Sequence, residues 1–210
     1  MVETKTAKEF IVLDLDGVIL DSRPNMEAAW SSVQRQLDVA TPFADYFALI
    51  GRPFPDILSI LGLSERLQAI ERTFRTASMN NIHLATFYPG VEETLNELAA
   101  RGLKLGIVTS KDRLRTGAIL AKLPVDFTTV QTPNGRWRGK PAPDQLLVAT
   151  AEANTDPAQA IYVGDMDADH EAARRAGIEY VHAEWGYGTT PPDCLVLGSI
   201  WDLLELRGPS

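Results

Sequence analysis

Apolar residues in this chain follow two rhythms. Phe10-Ile11-Val12-Leu13 is an unbroken apolar run, as expected of a strand buried on both faces. From residue 22 the spacing becomes helical. Asp21-Ser22-Arg23-Pro24 reads as a helix start, with Ser22 as N-cap and Pro24 in the first turn; Met26, Trp30, Val33 and Leu37 follow. Thr41-Pro42 starts a second helix carrying Phe43, Phe47 and Ile50, ended by Gly51-Arg52-Pro53. Ile57, Leu58 and Leu61 line a third, closed by Gly62, and Ser64 opens a fourth through Leu67, Ile70 and Phe74. Residues 22–85 therefore read as all-helical, a small bundle with its own core.

Tyr88-Pro89-Gly90 breaks this pattern, and helix and strand then alternate. The spacing predicts a helix over 91–101 stopped by Gly102, a strand over 103–108, a helix through Ile119 and Leu120, and a strand over 127–130. Asn134-Gly135 suggests a small hairpin. A helix through Leu146, a strand over 161–163, a helix over 169–176 and weaker strands at 180–183 and 195–197 follow, and Ser199 caps a last helix. Such alternation predicts an α/β fold with a parallel, doubly wound sheet, interrupted after its first strand by the helical block. In such sheets the site lies beyond the carboxyl ends of the strands. Here those ends read Asp14-Leu15-Asp16, Thr109-Ser110 and Gly164-Asp165, with Lys140 after the hairpin.

The bulk properties narrow the classes of partner. The chain has 210 residues, enough for one domain or one domain with a small insert, and a net charge of −8 without a basic tract. That disfavours nucleic acid and anionic membranes as partners. Cys194 is the only cysteine, and the first ten residues show no signal-peptide pattern, so the cytoplasm is the expected compartment.

Asp14 and Asp16 stand two apart on an extended segment, so their carboxyls leave the strand together and require a proton or a cation between them. On its own, Asp-Gly reads equally as a surface turn. The second acidic cluster, Asp165-Met166-Asp167-Ala168-Asp169, lacks the glycine and glutamate of an EF-hand loop. Oxygen-only ligands at a strand end favour Mg²⁺ with a phosphate as co-ligand, while Asp167 or Asp169 can also simply cap a helix. Gly139-Lys140-Pro141 is not a P-loop, yet it presents a lysine fixed by prolines, able to neutralise a phosphoryl group or the carboxylate that attacks it. Thr109 and Ser110 offer hydroxyl and amide donors where anions bind. His83, His170 and His182 share no ligand spacing; no Gly-x-Ser-x-Gly elbow occurs, and Gly186-Tyr187-Gly188 lacks the setting of a dinucleotide loop.

Taken together, Asp14-Leu15-Asp16-Gly17, Thr109, Lys140-Pro141 and Gly164-Asp165 with Asp169 resemble the four motifs of the haloacid dehalogenase-like (HAD) hydrolase superfamily. Tyr88-Pro89-Gly90-Val91, Trp185-Gly186-Tyr187-Gly188 and the segment from Gly198 to Leu204 further resemble its phosphoglycolate phosphatase-like branch. The resemblance implies a Rossmann-like core from residues 1–20 and 87–210 and a helical cap domain from 21–86. It implies Asp14 as nucleophile, forming an aspartyl-phosphate, and Asp16 as the acid and base. Mg²⁺ would be held by Asp14, the Asp16 carbonyl and Asp165, with Asp169 in support; Thr109, Ser110 and Lys140 would bind phosphate.

Within the family, Asp16 argues against a dehalogenase. The cap has no lysine for a phosphonoacetaldehyde hydrolase, and Met26 stands where a β-phosphoglucomutase-like phosphotransferase has a histidine. The expected partner is a small phosphorylated metabolite, phosphoglycolate-like or pyrophosphate, acted on by a monomer or small homo-oligomer. A non-catalytic binding protein on the same scaffold is the alternative outside enzymology. Arg52, in the cap loop, is the candidate reader of the substrate's distal group, or else a surface arginine. Met166 departs from the Ser or Thr common in relatives.

Overall fold

The structure, a computed structural model, describes residues 8–206. Residues 1–7 and 207–210, assigned above to the two ends of the core, lie outside the described residues. Six parallel strands form the main sheet: β1 (Phe10–Leu13), β4 (Lys104–Val108), β5 (Thr129–Gln131), β6 (Ala160–Gly164), β7 (Glu179–Ala183) and β8 (Leu195–Leu197). Their order is β5-β4-β1-β6-β7-β8. The first strand in sequence is thus central, paired with β4 on one side and β6 on the other.

Alternation of side chains explains why β1 is apolar throughout. Ile11 and Leu13 face one layer, with Leu95 and Leu98 of α5 (Val91–Ala100) and Ile119 of α6 (Arg113–Leu120). Phe10 and Val12 face the other, with Leu146 and Ala149 of α7 (Asp144–Glu152) and Ala172 and Ala173 of α8 (Asp167–Ala176). The result is a three-layer α/β sandwich. Because β4, β1 and β6 are adjacent and parallel, the segments beginning at Thr109, Asp14 and Asp165 leave one edge of the sheet side by side.

The helical insert leaves the core through a two-stranded antiparallel ribbon, β2 (Leu20–Asp21) against β3 (Thr86–Phe87). It holds α1 (Arg23–Leu37), α2 (Phe43–Phe47), α3 (Phe54–Ile60) and α4 (Leu67–Asn80) around a separate apolar cluster. At its centre Trp30 stacks on Tyr46 at 4.5 Å, with Phe74 edge-on to Trp30. Trp30 Nε1 donates to the Thr41 carbonyl at 2.9 Å, so its one polar atom is satisfied.

Four local expectations are corrected. Ser22 occupies the N-cap position of α1 without capping it, because its hydroxyl donates to Asp16 Oδ1 at 2.5 Å. Asn134-Gly135 forms no hairpin: β5 is followed by an irregular loop, and the strand pairs in parallel with β4. The second helix is a single short turn, and the last is a 3₁₀ helix, Ile200–Glu205.

Core position can be tested on two leucines. Leu13 is fully buried in the central strand, whereas Leu147 is 41% exposed. Leu13→Ala is expected to cost about 2–5 kcal/mol in urea unfolding, and Leu147→Ala about 0.5 kcal/mol or less. Similar losses for both would contradict the layer assignment.

Candidate active site

Asp14 is 3% exposed at the carboxyl end of β1, and its chain direction is fixed by an amide bond to the Val163 carbonyl at 2.9 Å. Gly17, four residues beyond the end of β1, has φ +85, and a Cβ there would clash with Asp165 Oδ2. Glycine is therefore required both by backbone conformation and by the approach of Asp165.

Lys140 sits at the centre of the carboxylates. It is fully buried, and its Nζ lies 2.9 Å from Asp14 Oδ2 and 2.6 Å from Asp169 Oδ1. Burial alone would lower its pKa, but the two aspartates outweigh this and hold it above the ordinary lysine value. The Tyr162 hydroxyl completes the cluster, 3.2 Å from Lys140 Nζ and donating to Asp169 Oδ1 at 2.8 Å. The other Asp169 oxygen accepts from the amides of Asp165 and Met166, at 3.3 and 3.0 Å. Both oxygens of Asp169 are thus engaged in positioning Lys140 and the turn after β6.

Asp165 is also fully buried. Its Oδ2 accepts from the Tyr187 amide at 2.8 Å, and a Cβ on Gly188 would meet its carbonyl at 2.0 Å. The 185–188 loop thereby holds Asp165 from the side. Asp14 Oδ1 and Asp165 Oδ1 are buried with no hydrogen-bond partner. One carboxylate oxygen each of Asp14, Asp165 and Asp169 lies within 4.8 Å of the others. Two orphaned anionic oxygens in an all-oxygen set can hold a hard divalent cation.

Asp16 lies on the cavity side. Its Oδ1 accepts from Ser22 and pairs with Lys111 Nζ at 3.0 Å, which leaves Oδ2 for a reacting group. Burial lowers the Lys111 pKa, and the Asp16 charge opposes that shift. Thr109 is buried, with Oγ1 accepting from the Lys111 amide. Ser110 Oγ donates to the Gly51 carbonyl at 2.6 Å, tying the core to the loop between α2 and α3. Arg52 follows in that loop and, with Thr109, Ser110, Asp14 and Asp16, lines the cavity over the carboxylates. Met166 packs against Gly51 and the apolar cluster of the insert.

Of the expected site residues, Asp14, Asp16, Thr109, Ser110 and Arg52 line this cavity. Asp165 and Asp169 join Asp14 in the carboxylate cluster, and Lys140 is buried against Asp14 and Asp169. Several contributors were not anticipated. Lys111 directly follows Thr109-Ser110, and that adjacency was the available signal. Tyr162 betrayed itself only as a phenol in an otherwise aliphatic strand. Tyr187, whose segment is rejected above as a dinucleotide loop and quoted only for the branch resemblance, accepts at its hydroxyl from the amides of Ser22 and Arg23 at 2.7 and 3.2 Å. Its link to the entry of α1 spans about 165 residues of sequence and leaves no local trace. Asp167 stays exposed in the first turn of α8 and suits the helix dipole alone.

Comparison with known proteins agrees with this geometry. The family model for haloacid dehalogenase-like hydrolases matches residues 11–183. A phosphoglycolate phosphatase of Cupriavidus necator is 30% identical over 206 residues, covering 93% of this chain and 89% of its own. The pyrophosphatase PpaX of Bacillus velezensis is 31% identical, with 94% and 95% covered. A crystal structure from Lactobacillus plantarum superposes with a TM-score of 0.88 at 21% identity, covering 96% of this chain and all of that one, and shares the fold. The chain belongs to the haloacid dehalogenase-like hydrolase family. Within it the chain falls in the phosphoglycolate phosphatase-like branch and is a phosphatase.

Burial pushes the Asp14 carboxyl up from 3.8 to about 7, with Lys140 opposing and Asp169 and Asp16 adding to the shift. Asp165 is raised too, chiefly by burial. A carboxyl whose folded pKa is raised stabilises the fold at low pH and loses that contribution as pH rises through the folded value. With divalent cations chelated, the thermal midpoint is therefore expected to be lower at pH 8 than at pH 5. Added magnesium should raise it more at pH 8. A midpoint in chelator that increases over this range would contradict the assignment.

Proposed function

We propose that this chain is a Mg²⁺-dependent phosphomonoesterase that hydrolyses a small phosphorylated metabolite through an aspartyl-phosphate on Asp14. The observation that supports it most is the buried ammonium of Lys140 on Asp14 Oδ2, with unpartnered oxygens of Asp14 and Asp165 beside it. In this reading residues 21–86 act as a cap domain over a core built from 1–20 and 87–210.

The Asp14 carboxylate attacks phosphorus in line, forming the Asp14–phosphorus bond as the ester bond breaks. Asp16, oriented by Lys111 and Ser22, gives its proton to the leaving oxygen. Water then attacks phosphorus, Asp16 takes a proton from it, and the Asp14–phosphorus bond breaks to release phosphate. Lys140 offsets the charge of Asp14, while Thr109 and the Ser110 amide hold phosphoryl oxygens. Asp14, Asp165 and the Asp16 carbonyl would hold Mg²⁺, which when bound neutralises charge between nucleophile and phosphoryl group. Asp169 supports this set by fixing Lys140 and the Asp165 amide.

A phosphorylated carboxylate such as phosphoglycolate is the first substrate to test, from the C. necator relative, and pyrophosphate the second, from PpaX. The single unpaired cysteine suits a reducing cytoplasm, and among the described residues no helix is long and apolar enough to cross a membrane.

Asp14→Asn should remain folded yet lose turnover of an aryl phosphate by about a thousandfold or more, and EDTA should abolish wild-type turnover until Mg²⁺ is restored. Metal-independent hydrolysis, or activity in the variant, would sink the proposal. Arg52 makes no hydrogen bond or ion pair with the described residues, so it is free to read a distal anion. Arg52→Ala should raise KM for an anionic substrate about tenfold relative to phenyl phosphate; equal losses on both would refute this role.

A further inference from the structure

The segment Trp185-Gly186-Tyr187-Gly188 takes no part in the proposed reaction, yet it is built tightly into the site. Its backbone grips Asp165. A Cβ on Gly186 or Gly188 would clash with that residue, and the Tyr187 amide donates to Asp165 Oδ2 at 2.8 Å. Trp185 Nε1 donates to the Val18 carbonyl at 3.0 Å, so the same loop also holds the turn after β1.

The Tyr187 side chain runs the other way, to the point where the helical insert begins. Its ring meets Phe47 edge-on at 5.0 Å. Its hydroxyl oxygen accepts the Ser22 and Arg23 amides at 2.7 and 3.2 Å, and its proton has Asp21 Oδ1 at 3.0 Å. The leading amides of a helix have no partner within it and need acceptors from outside. Ser22 stands at the N-cap of α1 but gives no side-chain cap, because its hydroxyl donates to Asp16 Oδ1. The Tyr187 oxygen takes over the capping, which leaves the Ser22 hydroxyl to Asp16.

We propose that Tyr187 is a positioning residue for proton transfer by Asp16. By capping α1 it fixes the Ser22 backbone, and the fixed Ser22 hydroxyl holds Asp16 Oδ1 so that Oδ2 is turned to the leaving oxygen. The inference rests on the phosphatase reading and deepens it. In the step concerned the Asp14–phosphorus bond forms, the ester phosphorus–oxygen bond breaks, and the Asp16 proton moves to the departing oxygen.

The test compares kcat/KM on the Mg²⁺-loaded full chain for two esters. Phenyl phosphate has a leaving oxygen that needs the proton; 2,4-dinitrophenyl phosphate has one that departs as an anion. Tyr187→Phe should lower the phenyl ester about tenfold and the dinitrophenyl ester about twofold or less. The loss is partial because Lys111 still pairs with Asp16 Oδ1. A residue that only supported the fold would lower both esters alike, and that result would overturn the inference. Ser22→Ala should shift the ratio of the two esters in the same direction. The double variant should lose little more than the worse single one, since both act on Asp16 through one hydroxyl; additive losses would overturn the link. Where Tyr187→Phe does not fold, Ser22→Ala decides, and equal losses on the two esters refute the route through Ser22. Failure of the unmodified protein to hydrolyse either ester would overturn the phosphatase reading itself, an outcome distinct from equal losses in a variant.

Discussion

One ammonium group organises the interior of this protein. Lys140 is buried between Asp14 and Asp169, and a third carboxylate, Asp165, lies just beyond. Two like charges 4 Å apart repel by roughly 4 kcal/mol even at an effective dielectric constant of 20. Three buried carboxylates against one lysine therefore leave an excess that the site must resolve. Burial, with repulsion among the carboxylates adding to it, raises the Asp14 and Asp165 pKa values, so protons can relieve the excess, and a divalent cation could relieve it without them. Removing the lysine would leave its partners worse than unpaired, because nothing else cationic touches Asp14 or Asp169 among the described residues.

The same cluster determines how the helical insert is seated. Asp16 binds the hydroxyl of Ser22 at the start of α1, and Asp165 holds the amide of Tyr187, whose hydroxyl receives the Ser22 and Arg23 amides. Site and insert thus share atoms at the point where the chain leaves the core. Ser110 holds Gly51 in the loop between α2 and α3, and Arg115 holds Ser78 near the end of α4, which in turn donates to Asn25 of α1. The insert is thus fastened to the core through carboxylates at its entry and through Ser110 at the α2–α3 loop, so a change at Ser110 would alter the cavity without touching a carboxylate.

Much of this was legible in the order of residues. The apolar runs and their polar ends located β1, β4 and β6, and parallel pairing makes the ends of neighbouring strands converge. Asp14, Thr109, Lys140 and Asp165 were accessible for that reason. What stayed hidden depends on contacts between distant segments. Ser22 looks like a helix cap because serine before Arg23-Pro24 usually is one; only the position of Asp16 in space redirects its hydroxyl. Asn134-Gly135 has the composition of a hairpin, but β5 finds a better partner in β4 than in the residues after it. Asp169, expected in support of the metal set, has its oxygens bonded to Lys140, Tyr162 and two amides, contacts that its place at a helix start does not disclose. One of those oxygens lies within 4.8 Å of oxygens of Asp14 and Asp165.

The charge pattern also separates the two halves of the cavity. The chain carries a net charge of −8, which by itself would slow the approach of an anionic phosphate ester. Around the carboxylates, however, Arg52, Arg75, Lys111 and Arg115 all line the cavity. Their field acts at short range inside low-dielectric walls, where it outweighs charges on the outer surface that salt screens within about 8–10 Å. In the proposed reaction the acidic residues of the floor serve attack on phosphorus, and the cations around them admit the anion that is attacked. On that proposal neither group works alone: without the cations the floor would repel its substrate, and without the floor the cations would only bind it.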